Sequence, residues 1–363
     1  MLLFCGAACA QTLDIQGRVL EKANMQPVAS ATVKLTGGSL TIQTGADGRF
    51  ELKGTAKASA GGTVDITMDK LMAKSVAYTA DSSDLGDIVL EYPARARIGV
   101  GAPTPYGAIM LFDGTHGKAA ANQELRAKWK DWERFTPGPI LFKIATDPEF
   151  PNDTNHATMQ TCCPTAQSWG YDDVQSLEAH GDAQIHVEWN SMGKYDNGNI
   201  AGENSDADPA CSEGNTGKCY FNSGVYIQSR YEIQLQAFPM GVDIATKGTG
   251  HSLGSIVNEF TPTSNQHKGN GVWQSYDVTF RTARYNGSAK TSNGYMSVWW
   301  NGVQTHLNRQ VTGAASGLAN HSGEEMNDTL YGLKLQNETG DVRFRNVWIK
   351  KLKIDSTDTN FGY

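Results

Sequence analysis

Two stretches decide the fold: FNSGVYIQSRYEIQLQ, Phe221 to Gln236, and AQIHVEWN, Ala183 to Asn190. Apolar and polar residues alternate along both, so that Tyr231 and Ile233 fall on one side of the chain and Glu232 falls on the other. Successive side chains of a β-strand point to opposite faces of its sheet. Each stretch is therefore predicted to form a strand with one face in a hydrophobic core and the other face polar and acid-bearing.

Most of the remaining chain favours strands as well. The same alternation returns in GVWQSYDVTF, Gly271 to Phe280, and in LKLQNETGDVRFRNVWIKKL from Leu333. Glycine is plentiful, at 39 of 363 residues, and charged residues are only 19%, a composition typical of turn-rich all-β proteins. One stretch, NQELRAKWKDWERF from Asn122 to Phe135, spaces its large apolar residues by three and four and predicts a single helix that caps the sandwich.

Charge and hydropathy exclude two classes of partner. The formal net charge is -7 and basic residues are not clustered, which argues against a nucleic-acid partner. No apolar run reaches the roughly 18 residues that a membrane-spanning helix needs. We therefore predict neither nucleic-acid binding nor a membrane span.

The first ten residues, MLLFCGAACA, are predicted to be a signal peptide. An apolar stretch leads to the small residues Ala8-Cys9-Ala10, a cleavage pattern just before Gln11. A basic start is missing. Lipidation at Cys9 is a weaker alternative, because the leucine expected three residues earlier is missing too. The prediction is an exported protein of bacterial type, periplasmic, cell-surface or extracellular.

Removal of the signal leaves four cysteines, Cys162, Cys163, Cys211 and Cys219. They allow three pairings, and the sequence leaves the choice among them open. Metal binding is the competing interpretation, but the sequence lacks a CxxC pair and a nearby pair of histidines. We predict disulfides formed in an oxidising compartment.

A small N-terminal domain is predicted over residues 11–93, where short alternating strands are joined by turns such as Asp47-Gly48. This pattern resembles the carboxypeptidase regulatory-like domain, an immunoglobulin-like β-sandwich that usually serves as a spacer. A sugar-binding accessory module is the alternative. The predicted divisions are a signal peptide (1–10), the small domain (11–93), a Pro- and Gly-rich linker (94–107), a larger domain (108–354) and a tail (355–363).

The larger domain carries several motifs in order: AIMLFDG at Ala108, HVEW at His186, NSGVYIQSRYEIQ at Asn222, WQSYDV at Trp273 and VRFRN at Val342. Over about Ile109 to Leu352 they resemble the 3-keto-disaccharide hydrolase domain family. The resemblance implies an all-β chain in which a small immunoglobulin-like β-sandwich is followed by a larger concanavalin-like jelly-roll β-sandwich. It also implies a glycan or oxidised disaccharide as partner, with the C3 hydroxyl of the sugar already a ketone.

Such a ketone acidifies the hydrogen on C2, so that a base can remove it and the enolate can expel the C1 substituent before water adds back. The site needs a base, a donor facing the oxyanion and an acid for the leaving group. Glu188 and His186 share the polar face of one strand, and Glu232 lies on that of another. If these strands are neighbours, the three side chains converge, and we predict them to be catalytic. The competing interpretation of each glutamate is a solvated residue or the ion-pair partner of an arginine.

Five further residues are predicted to bind substrate. Arginine forks can hold a carboxylate or an oxyanion, and a loop histidine beside glycines can approach a ligand closely. One indole of the Trp-Trp pair at 299–300 faces away from the core and could stack on a sugar ring. Pairing of Arg345 with a buried carboxylate is the competing interpretation. The five residues are Gln234, Arg230, His251, Arg345 and Trp299.

Two departures from the family pattern leave a second function open. Where the family reads Leu-Gln-Asp-His-Gly, this chain has LQNETG from Leu335 to Gly340, and where the family has Leu-Asp-Ser, it has LQA from Leu235 to Ala237. A histidine and an aspartate are thus missing. The alternative is a carbohydrate-binding, lectin-like module that kept the fold and lost the chemistry. A purely structural surface protein is a third hypothesis.

Calcium is the one cofactor that the sequence brings into question. The loop 193–218 holds five carboxylates, and carboxylate oxygens suit Ca²⁺. Their spacing differs from that of an EF-hand loop, and a solvated acidic loop is the alternative. No metal ligand is assigned. The carboxylates belong to Asp196, Glu203, Asp206, Asp208 and Glu213.

Overall fold

The computed structural model confirms an all-β chain. It describes residues 10–57, 61–79, 83–91, 98–132, 140–161, 173–191, 221–237, 252–269, 271–312, 329–337 and 342–355. The chain divides into two compact units, residues 1–96 and 97–363. Within the described ranges, no helix is long and apolar enough to cross a membrane.

The N-terminal unit consists of two small sheets. One sheet has the order β4-β1-β7, in which β1 and β7 are parallel, and the other has the order β3-β2-β5-β6. The turn predicted at Asp47-Gly48 is confirmed, since Gly48 has a φ of 76°. The strands are β1 (Ala10–Glu21), β2 (Thr32–Leu35), β3 (Thr41–Gln43), β4 (Arg49–Lys57), β5 (Gly61–Thr67), β6 (Lys74–Thr79) and β7 (Asp84–Leu90).

The C-terminal unit is a larger sandwich of two sheets. The eight-stranded sheet has the order β10-β11-β22-β13-β16-β19-β20, with β8 beside β22, and the five-stranded sheet has the order β15-β14-β21-β12-β9. The strands are β8 (Ile109–Phe112), β9 (Trp129–Trp132), β10 (Lys143–Thr146), β11 (Ala157–Gln160), β12 (Asp173–His180), β13 (Ala183–Ser191), β14 (Phe221–Ile227), β15 (Tyr231–Ala237), β16 (Gln274–Arg281), β17 (Arg284–Asn286), β18 (Ala289–Ser292), β19 (Gly294–Trp300), β20 (Val303–Val311), β21 (Tyr331–Leu335) and β22 (Val342–Lys351), where β17 and β18 form a separate hairpin.

One hydrophobic core lies between these two sheets. Val187 of β13 and Ile233 of β15 are both fully buried in it. Because side chains alternate along a strand, Glu188 and Glu232 point away from the core, each on the outer face of its own sheet. The two carboxylates therefore lie on opposite sides of the sandwich.

The predicted helix is present but shorter and shifted. Helix α1 spans Lys118–Lys128 and packs Leu125 into the core, as its spacing predicts. The prediction was wrong for Trp129 and Trp132, which lie on β9 at the edge of the five-stranded sheet. The open edge of β12 pairs with this segment, and aromatic residues suit a strand better than the last turns of a helix. In addition, the Trp129 indole donates to the carbonyl of Leu111 at 3.1 Å.

Close packing between β21 and β12 predicts that Gly332→Ala destabilises the C-terminal unit. A methyl group at 332 would overlap the backbone carbonyl of Ser176, which cannot move without shifting β12. We expect a loss of about 2 kcal/mol or more in the free energy of unfolding. All eight tryptophans lie beyond residue 97, so urea denaturation followed by tryptophan fluorescence reports on this unit.

Gly181→Ala is the matched control. A methyl group at 181 would make only ordinary van der Waals contacts, 3.7 Å from Thr282 and Leu330. We therefore expect this substitution to change the free energy of unfolding by no more than about 0.5 kcal/mol. Equal stability of the two variants would contradict the packing described for β21.

Candidate functional site

Polar side chains, most of them buried, form a group on each outer face of the C-terminal sandwich. The Glu188 cluster lies on the eight-stranded sheet and comprises His186, Glu188, Asp277, Arg345 and Asn346. The Glu232 face lies on the five-stranded sheet and comprises Asp173, Gly224, Tyr226, Glu232, Gln234, Lys334 and Gln336.

Strand pairing assembles the Glu188 cluster. His186 lies opposite Asp277, and its Nδ1 is 2.6 Å from the Asp277 carboxylate. The other ring nitrogen, Nε2, is 3.4 Å from Glu188 Oε1. Arg345 lies opposite Glu188 on β22 and donates from Nε to Glu188 Oε2 at 2.9 Å.

A bulge in β22 brings a second residue to the same carboxylate. Asn346 has a φ of 45°, the left-handed conformation that asparagine tolerates well, and the register of β22 shifts here against β13. The bulge turns the side chains of two consecutive residues, Arg345 and Asn346, to one face. Asn346 Nδ2 then donates to Glu188 Oε1 at 2.9 Å.

Residues 98–102, which belong to the predicted linker, cover the Glu188 cluster. The backbone N–H of Gly99 donates to Asp277 at 2.8 Å, and that of Gly101 donates to Glu188 at 2.7 Å. On the far side, Arg345 Nη1 donates to Asp147 at 2.6 Å, and its guanidinium lies 4.1 Å from the Trp273 ring centroid. The cluster is therefore closed by the chain's own backbone and side chains.

The electrostatics of the Glu188 cluster favour a fixed ion network. Burial lowers the pKa of His186, but Asp277 and Glu188 outweigh burial and raise it to about 9. Burial raises the pKa of Glu188, but His186, Asn346 and Arg345 outweigh it and lower that pKa to about 2. An efficient general base has a pKa near the working pH. Glu188 is a weak base and His186 is protonated at neutral pH.

The Glu232 face is built on one register row that crosses all five strands. Each strand contributes one residue to this row, opposite its neighbours. In sheet order the residues are Lys130 (β9), Gln175 (β12), Lys334 (β21), Tyr226 (β14) and Glu232 (β15). Their side chains share the outer face because residues that lie directly opposite each other on neighbouring strands point to the same side of the sheet. Lys130 is exposed, and the other four are buried.

Lys334 is held from three directions at the centre of this row. Its Nζ lies 2.7 Å from Asp173 Oδ2, 3.6 Å from the Tyr226 ring centroid and 3.9 Å from that of Trp132. Asp173 in turn accepts the backbone N–H of Asn337 at 2.8 Å through its other oxygen. A buried ammonium group is thereby placed between two aromatic rings with one carboxylate as partner.

Glu232 lies over Gly224, in the space that the side chain of any other residue at this position would fill. A methyl group at 224 would overlap Glu232 Oε1, so the carboxylate occupies the space above Gly224. Next to it, Gln336 donates from Nε2 to the Tyr226 hydroxyl at 3.2 Å. Glu232 and Lys334 stand two strands apart, about 10 Å between backbones, with Tyr226 between them. The face thus brings together a carboxylate, a phenol and an ammonium group.

The structure brings some of the predicted site residues together and separates others. The predicted convergence of Glu188 and His186 with Glu232 is wrong, because β13 and β15 belong to different sheets. Arg345 pairs with Glu188, as its competing interpretation held. Gln234 accompanies Glu232 on β15, Arg230 packs on Tyr331 at 4.7 Å beside the hairpin turn, and Trp299 lies opposite Asp277 on the eight-stranded sheet. His251 lies outside the described residues.

Several residues of the Glu232 face escape prediction from the sequence. Alternation in Leu333-Lys334-Leu335-Gln336 does indicate that Lys334 and Gln336 point outward. Their neighbours Asp173 and Trp132 come from distant segments, so the local sequence pattern does not identify them.

The residues predicted to form disulfides or to hold calcium lie outside the described residues. They are Cys162, Cys163, Cys211, Cys219 and the loop 193–218. Within the ranges that are described, no group of three or more His, Cys, Asp or Glu residues could hold a metal ion.

The C-terminal unit is thus a β-sandwich with polar residues on the outer face of each sheet. Residues 107–350 match the family model described as 3-keto-alpha-glucoside-1,2-lyase-like domain, which covers two-thirds of the sequence. This chain belongs to that family. A comparison with curated proteins finds no match.

Solved structures show weaker similarity. A proposed glycosyl hydrolase from Parabacteroides distasonis ATCC 8503 is 21% identical, with 69% of this chain and 85% of that chain covered and a TM-score of 0.45. A second one from the same organism is 17% identical, with 68% and 94% covered and a TM-score of 0.38. A mutant of the alginate lyase Aly36B with alginate trisaccharide is 10% identical, with 68% and 98% covered and a TM-score of 0.33.

The raised pKa of His186 predicts a stability difference that depends on pH. Its folded pKa of about 9 lies above the usual 6.5, so the stabilisation is complete below pH 6.5 and is lost as the pH rises through 9. Replacement by glutamine removes this titration. The difference in unfolding free energy between the native protein and His186→Gln should therefore shrink by about 3 kcal/mol between pH 6.5 and pH 9.

His306→Gln serves as the control. Burial lowers the pKa of His306 to about 4, so this histidine is neutral over the whole interval. The difference between native protein and this variant should stay constant with pH in urea denaturation. A constant difference for His186→Gln as well would contradict the charged network.

Proposed function

We propose that this protein is a carbohydrate-active enzyme that cleaves glycosides already oxidised to the 3-ketone, and that the Glu232 face is its active site. Family membership supports the substrate class. The observation that carries the site is the position of the Glu232 carboxylate above Gly224, in one row with Tyr226 and Lys334. Base, hydroxyl and cation lie on three successive strands there, with Glu232 and Lys334 about 10 Å apart at the backbone.

The reaction begins with removal of the C2 proton by Glu232. The C2–H bond breaks, its electron pair forms the C2=C3 bond, and the ketone oxygen becomes an enolate. When the C3 carbonyl re-forms, the electron pair of C2=C3 makes a C1=C2 double bond and the C1 substituent leaves with its bonding electrons. The oxygen of that leaving group takes a proton from Tyr226. Water then adds to the double bond that remains. This route needs one base and one acid, and it needs no displacement by a carboxylate pair.

The amides beside Glu232 suit the hydroxyl groups of a sugar. Gln234 donates from Nε2 to Asn222 Oδ1 at 3.2 Å, and Gln336 donates from Nε2 to the Tyr226 hydroxyl at 3.2 Å, so both side chains are held in place. Amide groups offer donors and acceptors together. In this proposal Gln234 and Gln336 orient the ring so that C2 faces Glu232.

Glu188, His186 and Arg345 take a different role in this proposal. They join β13, β16 and β22 to residues 98–102 and do not touch substrate. Trp299 lies on the same sheet and is likewise left out of the reaction.

A carbohydrate-binding module without catalysis is the second candidate. One observation favours it: the chain lacks the histidine of the family's Leu-Gln-Asp-His-Gly pattern, and it has Gln236 where the family's Leu-Asp-Ser pattern has aspartate. Export and a spacer role for the N-terminal unit complete the proposal for either candidate, and they rest on the sequence patterns described above.

Substitution of the two glutamates separates the faces. With a 3-keto-glucoside that bears a chromogenic leaving group, Glu232→Gln should lower the release rate by at least about 100-fold, because the base is gone. Glu188→Gln should keep the rate within a few-fold but lower the free energy of unfolding by about 2 kcal/mol or more, because a buried charge pair loses one partner. Loss of release in Glu188→Gln alone would contradict the assignment. Binding of the unoxidised glycan without any release by native protein would favour the module.

Gly224→Ala tests the position of the base without removing it. The added methyl group overlaps the end of the flexible Glu232 side chain and the Tyr226 ring, so the carboxylate must move while the backbone can stay. We expect release to fall at least tenfold, with the free energy of unfolding changed by about 1 kcal/mol or less. A native release rate in this variant would show that the carboxylate position above residue 224 is unimportant.

A further inference from the structure

We propose that Lys334 is a catalytic residue: its ammonium group stabilises the enolate oxygen that forms at C3, and Asp173 is the positioning residue that holds it there. This inference rests on the function proposed above and concerns the same site. The catalytic set predicted from the sequence does not include this lysine.

The burial of Lys334 is the first argument. Its side chain is 1% exposed, and taking an ammonium group out of water costs several kcal/mol. An apolar residue between Trp132 and Tyr226 would avoid that cost and fill the same space. The charge at this position therefore calls for an explanation beyond packing.

The geometry of the ammonium group is the second argument. A lysine carries three N–H donors, and in the part of the chain that the structure describes Asp173 is its one hydrogen-bond acceptor. Trp132 and Tyr226 lie within 4 Å and attract the charge through their ring faces. These contacts fix the position of the cation and leave N–H donors for a ligand oxygen.

The spacing within the row is the third argument. C2 and C3 are neighbouring ring atoms, so the base that takes the C2 proton and the group that receives the charge at the C3 oxygen must reach the same ring from two sides. Glu232 and Lys334 flank Tyr226 at about 10 Å between backbones, and both side chains extend from the same face. A pyranose ring bound between these two side chains, in place of Val257, which packs against Tyr226, meets both.

The electron flow needs a cation where Lys334 lies. As the C2–H bond breaks, the proton passes to Glu232 and one negative charge moves to the C3 oxygen. A fixed cation in a site of low dielectric stabilises this charge without reorganising at the moment of reaction. Loss of one such oxyanion-stabilising group typically lowers the rate by about 100- to 1,000-fold.

Exchange at C2 tests this step apart from bond cleavage. Full-length protein is incubated in D₂O with methyl 3-keto-glucoside, and deuterium at C2 is followed by NMR. Lys334→Met should exchange about 100-fold or more slowly than native protein, and added methylammonium should restore part of the rate. Lys350→Met is the matched control. Lys350 is equally buried on the eight-stranded sheet, where it donates to the carbonyl of Tyr106, so its variant should exchange at the native rate.

The outcomes separate this inference from the proposed function. Exchange by native protein with an equal rate in folded Lys334→Met overturns the role of Lys334 and leaves the function standing. No exchange and no release by native protein overturns both. Where Lys334→Met fails to fold, the isosteric Asp173→Asn decides: a kcat at least tenfold lower with KM within about twofold supports the inference, and an unchanged kcat overturns it.

Discussion

Both sheets of the C-terminal unit bury one face in the same core, and the placement of the Glu188 cluster and of the Glu232 face follows from this constraint. Alternation along a strand leaves each sheet with one outer face. Glu188 and Glu232 each lie between two core residues of an alternating strand, so both point outward. They nevertheless lie on opposite sides of the sandwich because β13 and β15 belong to different sheets. A single active site cannot contain both.

The two outer faces use buried charge in different ways. In the Glu188 cluster, the oxygens of Glu188 and Asp277 accept from side chains and from the backbone of Gly99 and Gly101, so opposite charges lock three strands and a covering segment together. On the Glu232 face, Asp173 pairs with Lys334, and amides and aromatic rings surround the charges. The first arrangement suits stability, and the second suits recognition and charge stabilisation.

Local patterns predict much of the fold and only part of the site. Alternation identified the strands around Ile185 and Ile233, because a two-residue period is a property of neighbouring residues. It could not assign them to sheets, since that depends on pairing between distant segments. The same limit hid the contact of Lys334 with Asp173, which joins residues 161 positions apart. The spacing of Trp129 and Trp132 predicts a helix, whereas the open edge of β12 decides their conformation.

The location of a bound sugar tests the central claim most directly. A crystal of the Glu232→Gln variant soaked with methyl 3-keto-glucoside would show it. We expect the ring between residue 232 and Lys334, in place of Val257, with C2 toward residue 232 and the C3 oxygen toward Lys334. A sugar bound to the opposite sheet, beside Trp299 or in place of residues 98–102, would contradict the account.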